Sequence, residues 1–226
     1  MNDQQKMEVE IWSDVMCPFC YIGKRRFEKA LKKLPEADQI KVTWKSFQLN
    51  PDMKTQPDKN IIEYLAEVKG WSIEQSKEMH ANVTGMAKEE GLDYRFDKAV
   101  VANSFDAHRL LQMAKANGKG DEAEELLFKY YFTEGKNIAD HGFLADLGVE
   151  LGLVRSEVEE MLASTKYTEE VNRDIDESQQ LGVRGVPFFV LNRKYGISGA
   201  QPAESFEGAL VQSLGEWKEQ LKNVLS

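Results

Sequence analysis

The spacing of two cysteines, at the junction of a strand and a helix, restricts what this chain can fold into more than any other feature. Cys17 and Cys20 are the only cysteines in 226 residues. Residues 9–12 alternate between apolar and polar, as a half-buried strand does, and apolar residues recur at helical spacing from residue 27. Pro18 suits the first position of a helix, because its missing N–H would have no partner within the helix there.

The position of Cys17 at a helix N-terminus favours a negatively charged sulfur. Unpaired N–H groups and the helix dipole stabilise negative charge at that end, and the thiolate is the attacking species in disulfide exchange. Cys20 lies one turn further along the helix and reaches the same sulfur, so the two cysteines can close a small, reducible disulfide. We therefore interpret the pair as a redox dithiol.

Two other interpretations of the cysteine pair are less consistent with the sequence. Inert core cysteines would not require a proline at the start of the helix. Half of a zinc site would need further ligands, since a closed structural site has four. The remaining soft ligands are three histidines, none of them at paired spacing: His80, His108 and His141. The sequence thus predicts no metal.

The composition excludes several classes of function. Its 42% hydrophobic and 30% charged residues are typical of a soluble globular protein, and a net charge of −9 disfavours nucleic acid as a partner. No apolar run reaches membrane-spanning length, and residues 1–7 contain no apolar segment of a secretory signal. We expect a cytoplasmic protein, in which C-x-x-C indicates a catalytic pair, although a mature form without its signal would look alike.

The hydrophobic pattern predicts a βαβ unit, then helices, then a second α/β segment. From about residue 59 to 165 the pattern is helical throughout, with a capping box at Ser72 and Gln75. Asp121 is expected to cap one helix of this segment, and Ser156 with Glu159 to open another. The flanking elements are strands over 8–13, 40–48, 186–191 and 195–199, and helices over 18–34, about 171–181 and from 202 onward.

This order of elements resembles the thioredoxin superfamily, with Cys-Pro-Phe-Cys at the first helix and Gly185-Val186-Pro187 before the third strand. The helical insert resembles that of the DsbA-like group, and three segments resemble its FrnE subfamily: residues 12–23, 103–110, and 185–189 with 198–202. The resemblance implies an α/β thioredoxin fold with an all-helical insertion. Residues 1–52 and 166–226 would form the thioredoxin-like domain, and residues 53–165 the inserted helical domain.

The resemblance also implies a substrate-binding surface. In the superfamily the residue that matches Pro187 is cis and packs beside the dithiol, which implies that the Val186 backbone pairs with the backbone of a substrate. Pro18 and Phe19 lie between the cysteines, where DsbA has Pro-His. Phe19 is expected to offer an apolar, partly exposed surface to the substrate.

Three residues around the dithiol are candidates for supporting roles. Asp14 could accept a proton from Cys20, or it could be a turn residue that bonds its own backbone. His108 lies in the insert that covers the dithiol in this fold, or it is a core histidine whose two ring nitrogens find partners. Trp12 is expected in the core.

The function implied by the resemblance is thiol–disulfide exchange, with Cys17 as nucleophile and Cys20 as resolving thiol. A glutathione-dependent isomerase or transferase, of the hydroxychromene-carboxylate isomerase or kappa-class type, is the alternative. Those enzymes generally carry Ser at the position of Cys17, so Cys20 favours redox chemistry. A non-catalytic chaperone is a third class. Expected partners are thiol or disulfide proteins or small thiols, and glutathione is a candidate co-substrate. We expect no cofactor. The sequence is compatible with either a monomer or a homodimer.

Overall fold

A mixed sheet carries the dithiol in the computed structural model, which describes residues 6–225. Strand β1 (Met7–Ser13) pairs in parallel with β2 (Ile40–Ser46) and antiparallel with β5 (Phe188–Leu191), which in turn pairs antiparallel with β6 (Tyr195–Ser198). The order across this sheet is β2-β1-β5-β6. Because β1 is an inner strand, the residues that follow it lie at the middle of one end of the sheet.

Helices surround this sheet and form the segment between its second and third strands. The first helix, α1 (Pro18–Lys33), packs against the last, α9 (Ala203–Leu225). The others are α2 (Ile61–Lys69), α3 (Ile73–Glu89), α4 (Phe105–Ala116), α5 (Gly120–Lys129), α6 (His141–Glu150), α7 (Arg155–Ala163) and α8 (Thr168–Gln180). A single π-helical turn, Tyr130–Glu134, extends α5. The α/β fold with a helical insertion is therefore confirmed.

The insertion also contains two short strands, where the sequence predicted helices alone. Strand β3 (Gln56–Asn60) pairs antiparallel with β4 (Val100–Val101). The residues of β3 are polar and largely exposed, so no apolar alternation marks them as a strand. Ala99 and Ala102 are fully buried and lie three residues apart, which imitates the spacing of a helix. The prediction that the chain is helical throughout from about residue 59 is therefore wrong at residues 59–60 and 100–101.

One predicted helix cap forms and two do not. Ser72 Oγ accepts from the Gln75 N–H at 3.1 Å, and Gln75 Oε1 accepts from the Ser72 N–H at 2.8 Å, which is the predicted capping box. Asp121 lies inside the first turn of α5 and its carboxylate instead accepts from Trp44 Nε1 at 2.9 Å. Helix α7 begins one residue before Ser156 and shows no side-chain cap. In both cases the polar residue stands within the helix, past the capping position.

Two predictions from the sequence are not tested by the structure: the absence of a secretory signal and the division into two domains. The predicted absence of a secretory signal rests partly on residues 1–5, which lie outside the described residues. The division into two domains stays a prediction. Across residues 6–225, no helix has both the length and the apolar character needed to cross a bilayer.

Gly23 allows α1 to approach the residues that precede and form β5. A Cβ atom on Gly23 would lie 2.9 Å from Pro187 Cγ and 3.5 Å from Phe189 Cζ. The first of these distances is shorter than ordinary carbon contacts, which lie near 3.5–4.0 Å. A side chain at this position would therefore push α1 away from Pro187.

We predict that Gly23→Ala lowers the free energy of unfolding, although Ala favours a helix over Gly by about 1 kcal/mol. Overpacking costs roughly 1–3 kcal/mol, so a net loss of about 1 kcal/mol is expected in urea unfolding. Gly85→Ala on α3 is the matched control, because nothing lies within 4 Å of its Cβ position. That control should gain about 1 kcal/mol. A stabilised Gly23→Ala variant would show that the contact relaxes freely.

Candidate active site

Cys17 occupies the position before the first residue of α1, as the sequence predicted. Its backbone is extended, with φ −87° and ψ 111°, and Pro18 opens the helix. The Cys17 sulfur donates to the carbonyl oxygen of Val186 at 3.4 Å. Its side chain keeps a small exposed area, 3%, whereas Cys20 has none. Both residues are free thiols, and Cys17 is the one that an incoming disulfide can reach.

The segment before β5 forms the other wall of the site. The Val186–Pro187 peptide bond is cis, as the resemblance implied. Pro187 is buried against Gly23, and its carbonyl oxygen accepts from the Gly199 N–H at 2.8 Å. Val186 is half-buried beside Cys17. Strand β5 begins at Phe188, two residues later than predicted, so Val186 and Pro187 belong to the loop and not to the sheet.

Phe19 and Trp12 lie where the sequence placed them. Phe19 is 37% exposed on the first turn of α1, so an apolar ring stands on the surface next to Cys17. Trp12 is fully buried, and its Nε1 donates to the backbone oxygen of Asp174 at 2.8 Å. Trp12 thus joins β1 to α8 in the core and has no surface to offer a substrate.

Cys20 is a buried thiol in contact with the end of β1. Burial, together with the hydrogen bond to Cys17, raises the pKa of Cys20 well above its ordinary value. The backbone N–H of Asp14 and the hydroxyl of Ser13 act in the opposite direction and lower the pKa of Cys20, but burial outweighs them. Because the thiolate is the reactive form, Cys20 must lose its proton before it can attack.

Asp14 is a turn residue with a buried carboxylate. Its Oδ1 accepts from the Met16 N–H at 3.3 Å, and its Oδ2 accepts from the Leu49 N–H at 2.8 Å. The turn interpretation is therefore confirmed. The contact of Asp14 with Cys20 is made by the backbone N–H, so the carboxylate holds two loops together.

The interpretation of His108 as a core histidine whose two ring nitrogens find partners is wrong. Its side chain is fully buried on α4, and neither ring nitrogen has a hydrogen-bond partner among the residues described. The ring Nε2 lies 3.5 Å from Asp14 Oδ1. Leaving a buried polar atom unsatisfied costs about 1–3 kcal/mol, so stability alone does not explain this histidine.

Glu124 is a candidate functional residue that the sequence analysis did not identify. It lies fully buried on α5, where its Oε1 accepts from Ser13 Oγ at 2.6 Å. Burial raises the pKa of Glu124 to about 7. Its helical spacing could have revealed it, since the buried face of α5 runs through Glu124, Leu127 and Phe128 and an amphipathic helix rarely places a carboxylate there.

An apolar cavity adjoins the dithiol on the Pro18 side. It encloses about 340 Å³, within the usual range for small-ligand sites. Met16 and Pro18 form one wall, and Leu65 and Val68 of α2 form another. Lys69 is a lining residue that forms no ion pair with any residue in the described part of the chain. The cavity therefore combines largely apolar walls with two charged lining residues, Lys69 and the buried Asp14.

Within residues 6–225, no three His, Cys, Asp or Glu side chains are grouped so that they could hold an ion.

Proteins of known structure or sequence resemble this chain and identify its family. Residues 8–211 match the family model of the DSBA-like thioredoxin domain, and the chain belongs to that family. A probable DsbA oxidoreductase, SCO1869 from Streptomyces coelicolor, is 42% identical with a TM-score of 0.88, over 93% of this chain and 91% of that chain. The uncharacterized protein YwbO of Bacillus subtilis is 26% identical over 206 residues, which are 90% of this chain and 96% of YwbO.

A more distant structure bears on the alternative function. A 2-hydroxychromene-2-carboxylate isomerase is 16% identical with a TM-score of 0.66, over 97% of this chain and 100% of that chain. At this identity the likeness concerns the fold alone. Membership of the DsbA-like group is confirmed by the family match, and the FrnE subfamily stays a prediction.

We predict that the two thiols differ in reactivity by more than their exposure alone suggests. In Cys17→Ser the remaining thiol is buried and its pKa is raised, so iodoacetamide at pH 7 should modify it slowly. In Cys20→Ser the remaining thiol stands at the helix N-terminus. We expect at least about tenfold faster alkylation there, since each pK unit changes the thiolate fraction about tenfold. Mass spectrometry follows the reaction, and unfolded variants should react alike. Faster modification of Cys20 would reverse the two assignments.

Proposed function

We propose that this protein is a thiol–disulfide oxidoreductase, with Cys17 as nucleophile and Cys20 as resolving thiol. One observation carries the proposal: the Cys17 sulfur stands at the start of α1, 3.4 Å from the Val186 carbonyl and beside a second thiol. A sulfur at a helix N-terminus is stabilised as the thiolate. Family membership supports the same chemistry.

The proposed reaction has two exchange steps. The Cys17 thiolate attacks a substrate disulfide, one substrate sulfur leaves as a thiolate, and a mixed disulfide forms. Cys20 then attacks the Cys17 sulfur, the second substrate sulfur leaves, and the Cys17–Cys20 disulfide closes. The substrate is reduced by two electrons and the dithiol is oxidised. The reverse sequence oxidises a substrate dithiol, and the potential of the pair relative to its surroundings sets the direction.

The walls of the site suggest how a substrate is held. The Val186 backbone lies beside Cys17 and would pair with an extended substrate backbone, as in strand addition. Phe19 would contact the apolar groups next to the substrate sulfur. Pro18 borders the cavity, which would receive a group attached to the same sulfur.

The proposal extends to partners and location. Substrates are thiol or disulfide proteins, or small thiols that include glutathione, and the redox-active pair needs no other cofactor. Neither nucleic acid nor a membrane is a proposed partner of a chain with net charge −9. We propose a cytoplasmic location and either a monomer or a homodimer.

A glutathione-dependent isomerase is the second candidate, because an isomerase of that kind has a similar fold. Such an enzyme needs one activating residue near the helix start and no resolving thiol, since glutathione returns unchanged after each cycle. Cys20 therefore distinguishes the two candidates.

We predict that Cys20→Ser accumulates covalent adducts on Cys17. Without the resolving thiol, the mixed disulfide cannot be broken by intramolecular attack, whose effective concentration bulk thiols do not match. Non-reducing gels and mass spectrometry should show adducts with glutathione or protein thiols, together with lost turnover of protein disulfides. Cys17→Ser is the control and should trap nothing. Retained activity with no adduct would favour the isomerase.

We also predict that Lys69 selects substrates with a carboxylate near the reactive sulfur. The probes are two aromatic disulfides, dithiobis-nitrobenzoate with a carboxylate on each ring and dithiodipyridine without one. Lys69→Met should slow reduction of the first about two- to fivefold, the size of an exposed ion pair, and leave the second unchanged. Lys88→Met on α3 removes a surface charge elsewhere and should affect neither probe. Equal effects on both probes would rule out the pairing.

A further inference from the structure

His80 is a buried polar residue that lines the cavity beside the dithiol. It belongs to α3 and is 7% exposed. Its Nδ1 lies 2.7 Å from the backbone carbonyl oxygen of Ser76, and because a carbonyl oxygen only accepts, Nδ1 carries the ring proton. Its Nε2 forms no hydrogen bond with any residue in the described part of the chain. Polar atoms of buried side chains are normally hydrogen-bonded, so Nε2 indicates a partner that occupies the cavity.

The free nitrogen of His80 is a hydrogen-bond acceptor. Burial lowers the pKa of His80 below its usual value, and the hydrogen bond to Ser76 opposes this only in part. The ring is therefore neutral at pH 7, and Nε2 keeps its lone pair. The ring packs edge-on against Phe96, with centroids 4.6 Å apart, which fixes its orientation. An occupant that pairs with His80 must present a donor, such as a hydroxyl group.

Two charged residues of the cavity determine where an occupant can place negative charge. The Asp14 carboxylate accepts from the N–H groups of Met16 and Leu49, at the end of the cavity next to the dithiol. Lys69 is an exposed lining residue and forms no ion pair within residues 6–225. A carboxylate on the occupant would be repelled by Asp14 and attracted by Lys69.

Helix α2 separates Lys69 from His80 along the cavity. Ser76 Oγ donates to the Ile62 carbonyl oxygen at 2.7 Å, and the Ser76 carbonyl in turn accepts from His80. His80 therefore lies near the beginning of α2, whereas Lys69 is its last residue. The helix rises about 10 Å from Ile62 to Lys69. An occupant that reaches both residues carries its donor and its acid at opposite ends.

The walls between these two ends are apolar and rich in aromatic rings. Four rings line the cavity: Tyr64, Phe96, Tyr131 and Phe132. Aromatic rings pack well against other rings in offset or edge-on arrangements, so these walls suit a flat aromatic body. Glutathione, with an amine, two carboxylates and two peptide groups, would leave most of its polar atoms against apolar walls. The cavity volume of about 340 Å³ is sufficient for a small ligand.

We propose that the cavity binds a small aromatic acid that bears a hydroxyl group, with the carboxylate at Lys69 and the hydroxyl donating to His80 Nε2. This acid is the group attached to the sulfur of a small thiol substrate, and in that respect the inference rests on the proposed function. The sulfur would lie at the end of the cavity that Pro18 borders, next to Cys17.

Calorimetric titration of the wild-type protein with 4-hydroxycinnamate and with cinnamate tests the hydrogen bond. The two acids differ only in the phenolic hydroxyl that would donate to His80. We expect 4-hydroxycinnamate to bind about fivefold more tightly, which corresponds to one net hydrogen bond. 4-Methoxycinnamate keeps the oxygen but lacks the proton, and it should bind no better than cinnamate. None of these probes contains sulfur, so the measurement does not depend on disulfide exchange.

Variants assign the two contacts separately. His80→Phe keeps an aromatic ring and removes the acceptor, so it should bind 4-hydroxycinnamate and cinnamate equally. Lys69→Met should weaken both acids about two- to fivefold, the size of an exposed ion pair, and keep the preference for the hydroxyl. His141→Phe is the matched control, because His141 is exposed on α6, away from the cavity, and it should change neither affinity. If His80→Phe does not fold, the wild-type comparison of the three acids still decides.

Iodoacetamide tests whether the occupied cavity lies beside the reactive sulfur. In Cys20→Ser the remaining thiol is Cys17, and bound 4-hydroxycinnamate should slow its alkylation. Half of the full effect should occur at the calorimetric Kd. Mass spectrometry follows the modified fraction.

The outcomes separate this inference from the proposed function. Absence of binding, equal binding of 4-hydroxycinnamate and cinnamate by the wild type, or a preference that persists in His80→Phe would overturn recognition of the hydroxyl. Binding that leaves alkylation of Cys17 unchanged would overturn the assignment of the acid to a thiol substrate. Neither result bears on thiol–disulfide exchange itself, which is tested by adduct formation in Cys20→Ser.

Discussion

The close contact between α1 and the loop before β5 is the constraint on which the rest of the site depends. Gly23 permits it, because any side chain there would meet Pro187. Phe27, one turn further, packs against Phe189 and Phe206 with ring centroids 5.5 and 5.8 Å apart. These contacts fix the helix against β5 and α9, and the start of the helix then places Cys17 beside Val186. The position of the sulfur is thus set by packing two turns away from it.

Burial has opposite consequences for the two cysteines. Cys17 keeps a small exposed area at the helix terminus. Cys20 is one turn deeper, and burial raises its pKa. In the proposed reaction, the raised pKa of Cys20 would keep this thiol protonated while Cys17 attacks the substrate, so the two sulfurs would not compete as nucleophiles. The same burial removes Cys20 from solvent.

The sequence predicted what depends on local spacing and missed what depends on contacts between distant segments. The dithiol at a strand–helix junction follows from Pro18 and from the apolar pattern on each side, and the structure has the same arrangement. Strand β3 has no apolar alternation and exists because β4, some forty residues away, pairs with it. Glu124 stands in an acidic run, residues 121–125, which looks like a solvated helix face. The spacing of Glu124 from Leu127 and Phe128 is the one signal in the sequence that this carboxylate faces inward, toward Ser13.

The inserted segment supplies much of what surrounds the dithiol without supplying either sulfur. Tyr94 donates to the Pro18 carbonyl oxygen at 2.6 Å, α4 and α5 bring His108 and Glu124 behind Cys20, and α2 forms a wall of the cavity. The β1–α1 junction and the Val186–Pro187 loop hold the Cys17 sulfur in place. Disulfide exchange depends on such a fixed position of the reacting sulfur. The cavity wall and the buried polar groups near the dithiol therefore come from the inserted segment. Helix α2 forms the cavity wall, whereas α4 and α5 hold the buried polar groups, so the open side and the buried side of the dithiol are built by different helices.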